Sequence, residues 1–194
     1  MAVKKVIREQ TLIFSFIKQY NLISGGKMYK SFKIVKVDSK YCDYLRKFDN
    51  KVSYNAGSKD LRPFIGVLFV VFDYEYFAPL SSPKTKHKLL KNTLDLLKIN
   101  DGEYGVINFN NMIPVNKNNY IEFDLNKKTD DKNEMFRLNL LRNRLRWLTA
   151  NRKEVMTKSK LLYNLYKNKK LPKNVEDRCC NFPLLEDRCK EYKD

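Results

Sequence analysis

The sequence predicts an α+β fold in which a strongly twisted antiparallel sheet is flanked by helices, with a C-terminal helix pair packed on one side. The continuous apolar run FIGVLFVVF (64–72) precedes a short reversal and a second apolar run, YFAPL (76–80), as in two paired strands. Two more strand-like runs lie at 105–115 and 120–125. Leucines recur at helical spacing in the last third, which indicates helices there.

The first 27 residues predict an amphipathic extension to a single domain that spans residues 28–194. Its apolar run LIFSFI is far too short to cross a bilayer, and no A-x-A cleavage pattern follows it. Gly25 and Gly26 end the segment. At helical spacing its apolar side chains share one face: Val6, Ile7, Ile13, Phe14, Ile17 and Tyr20.

The first half of the domain alternates strand and helix patterns. FKIVKV (32–37) suits an outer strand, and KYCDYLRKFD (40–49) places its aromatic residues on one helical face. Residues 50–63 are rich in Asn, Ser, Gly and Pro, which is typical of a loop. The run at 64–72 predicts a central buried strand, and DYEY (73–76) a tight reversal.

The second half begins with KLLKNTLDLLKI (88–99), whose leucine spacing predicts a helix. The runs at 105–115 and 120–125 predict a strand pair. TDDKNE then forms an acidic helix entrance. The two helices that follow, the second ending before Pro172, have these apolar positions: Leu138, Leu141, Leu145 and Leu148, then Val155, Leu161, Leu162 and Leu165.

The formal net charge of +17 and the pI of about 9.7 indicate an acidic partner, because self-repulsion on this scale destabilises a compact chain. Nucleic acid is the leading class, followed by a membrane surface and then by a merely soluble basic protein. The four cysteines lack the spacing of a zinc site, and the only histidine is remote from three of them. We expect reduced thiols and a cytoplasmic protein.

The two C-terminal helices concentrate the charge, since residues 132–170 hold twelve Lys or Arg and two Glu. Arginines can fork onto phosphates and tyrosines can stack on unpaired bases, which suits folded RNA better than duplex DNA. The candidate RNA-binding residues are Arg142, Arg144, Arg146, Lys158, Lys160, Tyr163 and Lys167.

Several catalytic classes are excluded by missing motifs, because the sequence has no Gly-rich phosphate loop, HExxH or nucleophile elbow. Its acidic residues are scattered, which argues against a two-metal nuclease. Metal-free RNA cleavage remains, in which the ribose 2′-OH attacks its own phosphorus. That reaction needs in-line positioning and stabilisation of the phosphorane charge, which cations and hydroxyls supply.

The stretch YFAPLSSPKTKH (76–87) carries the side chains for such chemistry. One interpretation is a helix start, with Ser82 as N-cap and Pro83 as the first helical residue. The other is a phosphodiester site on that helix N-terminus, formed by Ser81, Ser82 and Lys84. His87 has an ordinary pKa suited to a general acid or base, although a lone histidine is more often a surface or capping residue.

Five runs resemble the ToxN/AbiQ/CptN endoribonuclease toxins of type III toxin–antitoxin systems, in that family's order and spacing over about residues 31–170. They are SKYCDYLRKFDNKV (39–52), RPFIGVLFVV (62–71), YFAPLSSPKTKH (76–87), GVINFNNMIPV (105–115) and KSKLLYNLYKNK (158–169). The segments before residue 28 and after Pro172 lie outside the resemblance.

The resemblance implies a compact MazF/Kid-like toxin fold and metal-independent RNA cleavage that leaves a 2′,3′-cyclic phosphate and a 5′-OH, without a cofactor. It implies growth inhibition or abortive phage infection, with cellular or phage RNA as target. The antitoxin would be a repeat RNA that the toxin cuts into inhibitory pseudoknots. Toxin and RNA would assemble into closed rings or dimeric complexes, with no membrane involved.

By position, the resemblance implies that activity depends most on Ser82, with Ser81 retaining a neighbouring hydroxyl and Lys84 steadying the phosphorane. Arg62 stands where a relative has lysine, so it keeps a cation but is a poor candidate for a neutral base. The last two implied positions are Tyr41, near the cut site, and His87. Tyr41 is equally well explained as a half-buried aromatic on a helix face.

Two alternatives from other classes stay open. A non-catalytic basic RNA-binding protein would use the two basic helices alone, and residues 81–84 would then be only a helix cap. A membrane-surface protein would use the N-terminal amphipathic segment and is the third choice.

Overall fold

The strand with the most pairing partners in the sheet is the one that ends at Ser81. The structure, a computed structural model, describes residues 31–54, 62–66, 68–71 and 74–193. The strands are β1 (Lys33–Val37), β2 (Phe64–Gly66), β3 (Val70–Val71), β4 (Tyr74–Ser81), β5 (Leu96–Lys98), β6 (Val106–Asn108), β7 (Ile113–Val115) and β8 (Tyr120–Glu122). The amphipathic extension expected at residues 1–27, and the proposed start of the domain at residue 28, lie outside the described residues.

The helices lie between and after these strands. They are α1 (Ser39–Arg46), α2 (Thr85–Leu89), α3 (Lys132–Ala150), α4 (Arg152–Lys167), α5 (Lys173–Glu176) and α6 (Phe182–Glu191). Short 3-10 turns occupy Asn100–Gly102, Phe109–Asn111 and Lys117–Asn119. In the parts that the structure describes, no helix is both long and apolar enough to cross a membrane.

The strands pair in the order β5-β6-β4-β2-β1-β8, and β3 and β7 also pair with β4. Every pairing is antiparallel, which confirms the predicted α+β class. β4 thus contacts four strands, and all its side chains from Tyr74 to Leu80 are buried. Its continuous burial explains why it reads as YEYFAPL rather than as alternating polar and apolar residues.

The apolar run at 64–72 is not the central strand that we predicted. It forms two short strands, β2 and β3, and Val70 is 49% exposed. β1 is not an outer strand either, because it lies between β2 and β8. The reversal predicted at 73–76 is wrong from Tyr74 onward, since that residue already begins β4.

The helix predicted at 88–99 is also wrong. α2 covers only Thr85–Leu89, Leu89 is 84% exposed, and residues 96–98 are strand β5 paired with β6. Sheet pairing here outweighs the intrinsic helix preference of leucine. The run at 105–115 forms two strands, β6 and β7, with a 3-10 turn between them, and the run at 120–125 contributes β8. The predicted pairing is wrong, since β6 and β7 pair with β4 and β8 joins β1.

The two basic helices agree with the sequence patterns. Asp131 caps α3 by accepting hydrogen bonds from the backbone N–H groups of Asn133 (2.7 Å) and Glu134 (3.2 Å). The buried side chains of the two apolar stripes are Leu138, Leu141, Leu148, Val155 and Leu162. Leu145, Leu161 and Leu165 are half-buried.

The segment after Pro172, which the sequence left unexplained, belongs to the core. Its three cysteines, Cys179, Cys180 and Cys189, are fully buried free thiols. Buried Glu186 on α6 accepts hydrogen bonds from the hydroxyls of Tyr76 (2.8 Å) and Tyr163 (2.6 Å). These bonds join α6 to β4 and α4.

Candidate active site and basic surface

The segment Ser81–Lys84 leaves the end of the central strand. Ser81 is half-buried and pairs with Val106, whereas Ser82, Pro83 and Lys84 are exposed. The helix that follows begins only at Thr85, with Lys84 at its N-cap position. The prediction that Ser82 caps the helix and Pro83 is its first residue is therefore wrong, because both residues precede the N-cap residue of the helix.

Two side chains hold Ser81. The Nδ2 of Asn108, at the end of β6, donates to Ser81 Oγ at 2.8 Å. The Nη2 of Arg144, on α3, donates to the Ser81 carbonyl oxygen at 3.0 Å. Because Ser81 Oγ is the acceptor for Asn108, its own hydrogen remains a possible donor to a phosphoryl oxygen.

Arg144 is only 1% exposed, so it does not lie on the RNA-binding surface to which we assigned it from sequence. Its Nε also donates to the carbonyl oxygen of Tyr104 at 2.8 Å. Burial lowers the pKa of the Arg144 guanidinium to about 10, which leaves it cationic at neutral pH.

Arg62 lies at the same end of the sheet. Phe64 pairs with Pro79, and the Leu80 N–H donates to the Pro63 carbonyl at 2.8 Å. Continuing this antiparallel register by one residue brings Arg62 opposite Ser81. Arg62 is half-buried, and burial lowers its pKa. The structure therefore places a cation and the serine segment at neighbouring strand ends.

Tyr41 does not join this group at the surface. Its side chain is fully buried, and its hydroxyl donates to the Pro114 carbonyl at 2.7 Å. Burial raises the pKa of its hydroxyl far above the ordinary value. In this structure Tyr41 is a core residue that joins α1 to β7, and the direct role near the cut site remains only an expectation from the resemblance.

His87 is 4% exposed and lies on the short helix α2. A Cβ added at Gly102 would lie 2.8 Å from its carbonyl group, so the backbones of α2 and the Asn100–Gly102 turn are closely packed. Burial, and then Lys86 and Lys84, lower the pKa of His87. Among the described residues, its buried Nδ1 has no hydrogen-bond partner.

The other candidate RNA-binding residues on α3 and α4 mostly contact the fold itself. The Nε of Arg142 donates to the Leu125 carbonyl at 2.6 Å, and Lys158 Nζ donates to the Thr93 carbonyl at 2.8 Å. Lys167 Nζ lies 3.2 Å from Glu186, which also binds the Tyr163 hydroxyl. Lys160 is half-buried, and burial lowers its pKa. Arg146 is exposed.

The chain between α2 and β5 is fixed by the C-terminal segment. Arg178 donates from Nε to Asp95 Oδ2 (2.6 Å) and from Nη2 to Asp95 Oδ1 (3.0 Å). Burial alone would raise the pKa of Asp95, but hydrogen bonds from Arg178 and Thr93 lower it below its usual value. This ion pair stabilises the segment that follows the candidate site.

The sequence did not single out Asn108 or Gly105. Asn108 is 27 positions from Ser81, and only the β4–β6 register brings the two together. Gly105 has a φ of +94°, and a Cβ there would lie 2.0 Å from the Ser81 carbonyl oxygen. A glycine just before a strand-like run is the only signal that sequence offered for this close approach.

In the ranges that the structure describes, no group of three His, Cys, Asp or Glu side chains is arranged to hold a metal ion.

The family model described as Toxin ToxN, type III toxin–antitoxin system, matches residues 33–190. The chain belongs to the ToxN toxin family. This confirms the resemblance found in the sequence, and the match continues into α6, which the resemblance did not cover.

Individual relatives agree with the ToxN assignment. Endoribonuclease ToxN of Bacillus thuringiensis subsp. kurstaki is 32% identical over 162 residues, covering 81% of this chain and 82% of that protein. Endoribonuclease ToxN of Pectobacterium atrosepticum is 29% identical over 168 residues, covering 82% of this chain and 93% of that protein. Endoribonuclease AbiQ of Lactococcus lactis subsp. lactis is 26% identical over 167 residues, covering 80% and 86%.

Two solved structures share the fold of this ToxN-family chain. One is described as "A processed non-coding RNA regulates a bacterial antiviral system". It has a TM-score of 0.70 and 28% sequence identity, and the match covers 85% of this chain and 100% of that chain. The second concerns "selective toxin inhibition by a non-coding RNA pseudoknot"; its TM-score is 0.70 and its identity 31%, covering 85% and 99%.

Proposed function

We propose that this chain is a metal-independent endoribonuclease that cuts RNA by attack of the ribose 2′-OH on the adjacent phosphorus. The products would be a 2′,3′-cyclic phosphate and a 5′-OH. One observation carries the proposal: the exposed segment Ser82–Lys84 follows a central strand whose last residue, Ser81, is held by Asn108 and Arg144. Curated relatives named endoribonucleases support the substrate class.

The proposed roles follow from the side-chain chemistry. Ser81 donates its hydroxyl hydrogen to a non-bridging phosphate oxygen, and Ser82 contacts the scissile phosphate directly. Lys84 and Arg62 supply positive charge that stabilises the phosphorane as it forms. Because Ser81 is attached to the sheet, it can hold the scissile phosphate in a fixed position. A fixed phosphate favours in-line attack by the 2′-OH. His87, buried on the helix that follows this segment, is the candidate for proton transfer.

The proposed RNA surface differs from the one that charge counting predicts. Its centre is the exposed chain after β4, which carries Lys84, Lys86, Lys88 and Lys91. From α3 we retain exposed Arg146, and we place Arg142, Lys158, Lys160, Lys167 and Tyr163 at its margin, because their polar groups are already engaged or half-buried.

We further propose that the partner is a repeat-derived RNA antitoxin, which the toxin processes and which then inhibits it as a pseudoknot. The solved neighbour described by toxin inhibition through a non-coding RNA pseudoknot supports this class of partner. Cellular or phage RNA would be the target of the uninhibited enzyme in the cytoplasm. A cyclic or dimeric toxin–RNA complex is the expected assembly.

The test compares purified wild type with Ser82→Ala on a mixed single-stranded RNA in the presence of EDTA, with the product ends mapped. We expect wild type alone to cut and to leave cyclic phosphate and 5′-OH ends. Equal folding of the two proteins, measured by thermal denaturation, is the control.

Two results would contradict the proposal. Cutting by wild type that stops in EDTA and returns with Mg²⁺ would overturn metal independence. Tight RNA binding by both proteins without cutting in any sequence context would instead favour the non-catalytic RNA-binding alternative.

A further inference from the structure

Arg144 is a buried cation that pairs with no carboxylate among the residues that the structure describes. Among the described residues, its guanidinium has hydrogen bonds only with the carbonyl oxygens of Tyr104 and Ser81, and no ion pair. Burying a charge is costly unless it is well hydrogen-bonded, and an apolar residue would fill such a core position at lower cost. The buried charge of Arg144 therefore needs an explanation in the contacts that its guanidinium makes.

The two carbonyls belong to two chain segments that meet at the candidate site. Ser81 is the last residue of β4, and Tyr104 lies just before β6. Nε reaches Tyr104 at 2.8 Å and Nη2 reaches Ser81 at 3.0 Å, so one planar guanidinium spans both segments. The fork geometry matters because the compact ammonium of lysine could not reproduce both bonds from the same position.

Gly105 makes this arrangement possible. A Cβ at that position would lie 2.0 Å from the Ser81 carbonyl oxygen and 3.1 Å from Arg144 Nη2. The missing side chain therefore lets the Gly105 backbone, the Ser81 carbonyl and the guanidinium approach one another. Asn108, three residues further on, then reaches Ser81 Oγ from the same segment.

We propose that Arg144 is a positioning residue for RNA cleavage, which fixes the Ser81 carbonyl and thereby sets the place and direction of Ser81 and Ser82 at the scissile phosphate. The inference rests on the proposed function. Arg144 acts through the backbone of Ser81 and does not touch RNA, so it governs the rate of the chemical step and not the affinity for the substrate.

The test uses Arg144→Met, which keeps bulk but removes the fork and the charge, and Arg144→Lys, which keeps the charge alone. Single-turnover cutting at saturating protein should fall about 100-fold in Arg144→Met, the size of effect expected when reacting groups are misplaced by about 1 Å. RNA affinity is measured in the non-cutting Ser82→Ala background. There Arg144→Met should change the Kd by less than about two-fold.

Leu148→Ala on the same helix is the matched control, because it opens a cavity at a fully buried position without removing a bond to Ser81. It should lower the Tm and leave the cutting rate within about two-fold when both proteins are assayed well below their Tm. Arg144→Lys should cut more slowly than wild type despite its charge. If Arg144→Met does not fold, the cutting rate and the RNA Kd of Arg144→Lys test the inference in its place.

The inference is overturned if the folded Arg144 variant cuts at the wild-type rate. It is also overturned if the rate loss is matched by an equal loss of affinity, or if Leu148→Ala loses as much rate at a similar Tm. A wild type that does not cut, or a Ser82→Ala variant that does, would overturn the proposed Ser82 site instead, so the two failures are distinguishable.

Discussion

The chain after β4 and the helix pair α3–α4 are both rich in lysine and arginine, but the fold uses them differently. Between Ser82 and Lys91 every lysine side chain is exposed, and the one buried residue is His87. On the helices, Arg142, Lys158 and Lys167 bind carbonyls or a carboxylate of the same chain. The number of charges in a segment therefore does not measure the binding surface that the segment offers.

The difference has a structural cause. α3 and α4 must bury an apolar stripe against the sheet, so cations beside that stripe can reach loop carbonyls with their long side chains. The chain after β4 has no such stripe, because α2 is five residues long and leaves Leu89 exposed. Arg144 and Arg146 illustrate this contrast within one helix turn, since the first is inside and the second is exposed.

The largest effect is expected at Gly105, where the serine segment and α3 meet. Gly105→Ala would place a Cβ 2.0 Å from the Ser81 carbonyl oxygen and would force alanine into a φ of +94°. We expect RNA cutting to fall by about 100-fold or more, because the strand ends must move apart. Single-turnover cutting and thermal denaturation measure the two consequences.

Gly105→Asn separates the two causes. Asparagine tolerates positive φ better than alanine but carries the same Cβ. If close approach to Ser81 decides the outcome, both variants cut equally slowly. Substantially faster cutting by Gly105→Asn would show that backbone strain, and not the approach of the two strands, limits the alanine variant.

The sequence predicted the helices better than the order of the strands, because helix patterns are local and strand pairing is not. The patterns of α1, α3 and α4 are local: the leucine stripes lie where they were expected, and the N-cap of α3, Asp131, lies within the predicted acidic entrance TDDKNE. The order of the strands depends on contacts between distant residues, such as Ser81 with Val106, which no local pattern encodes. The same holds for the site: residues 81–84 form a motif, but Asn108 reaches Ser81 only through the sheet.

The internal role of arginine was unpredictable for a related reason. Arg142, Arg144 and Arg146 are identical in type and evenly spaced, so composition assigns them one function. Helix geometry separates them, because residues two apart face different directions on an α-helix. Only the packed structure shows that the middle one points inward, with 1% exposure.

A smaller effect distinguishes Arg146 from Arg142 on α3. Arg146→Ala should weaken RNA binding several-fold and lower the magnitude of the salt slope by about one, as expected for a lost phosphate contact, without changing the Tm. Arg142→Ala should lower the Tm instead, because its Nε bond to the Leu125 carbonyl is lost. Titrations in the Ser82→Ala background at several salt concentrations measure the binding.

The comparison between the two regions would fail if the two variants behaved alike. Equal losses of affinity with unchanged Tm would mean that Arg142 leaves Leu125 to bind RNA, so the contacts of the free protein would not identify the binding surface. A flat salt dependence for wild type would contradict an electrostatic RNA surface altogether.

The smallest expected effect is the pH dependence contributed by His87. Burial, Lys86 and Lys84 lower its pKa in the folded state from the ordinary 6.5, so the unfolded chain binds the proton more readily. Between these two pKa values stability rises with pH, and it is lost as pH falls below about 6.5, by at most about 1.4 kcal/mol per pH unit for one proton. Urea denaturation from pH 7.5 to 5.5, ~2 pH units that cross the ordinary pKa of 6.5, should therefore show a steeper loss of stability for wild type than for His87→Asn. Parallel curves would mean that the buried imidazole takes up its proton as easily in the fold as in the unfolded chain, which would contradict its proposed neutral state in the folded enzyme.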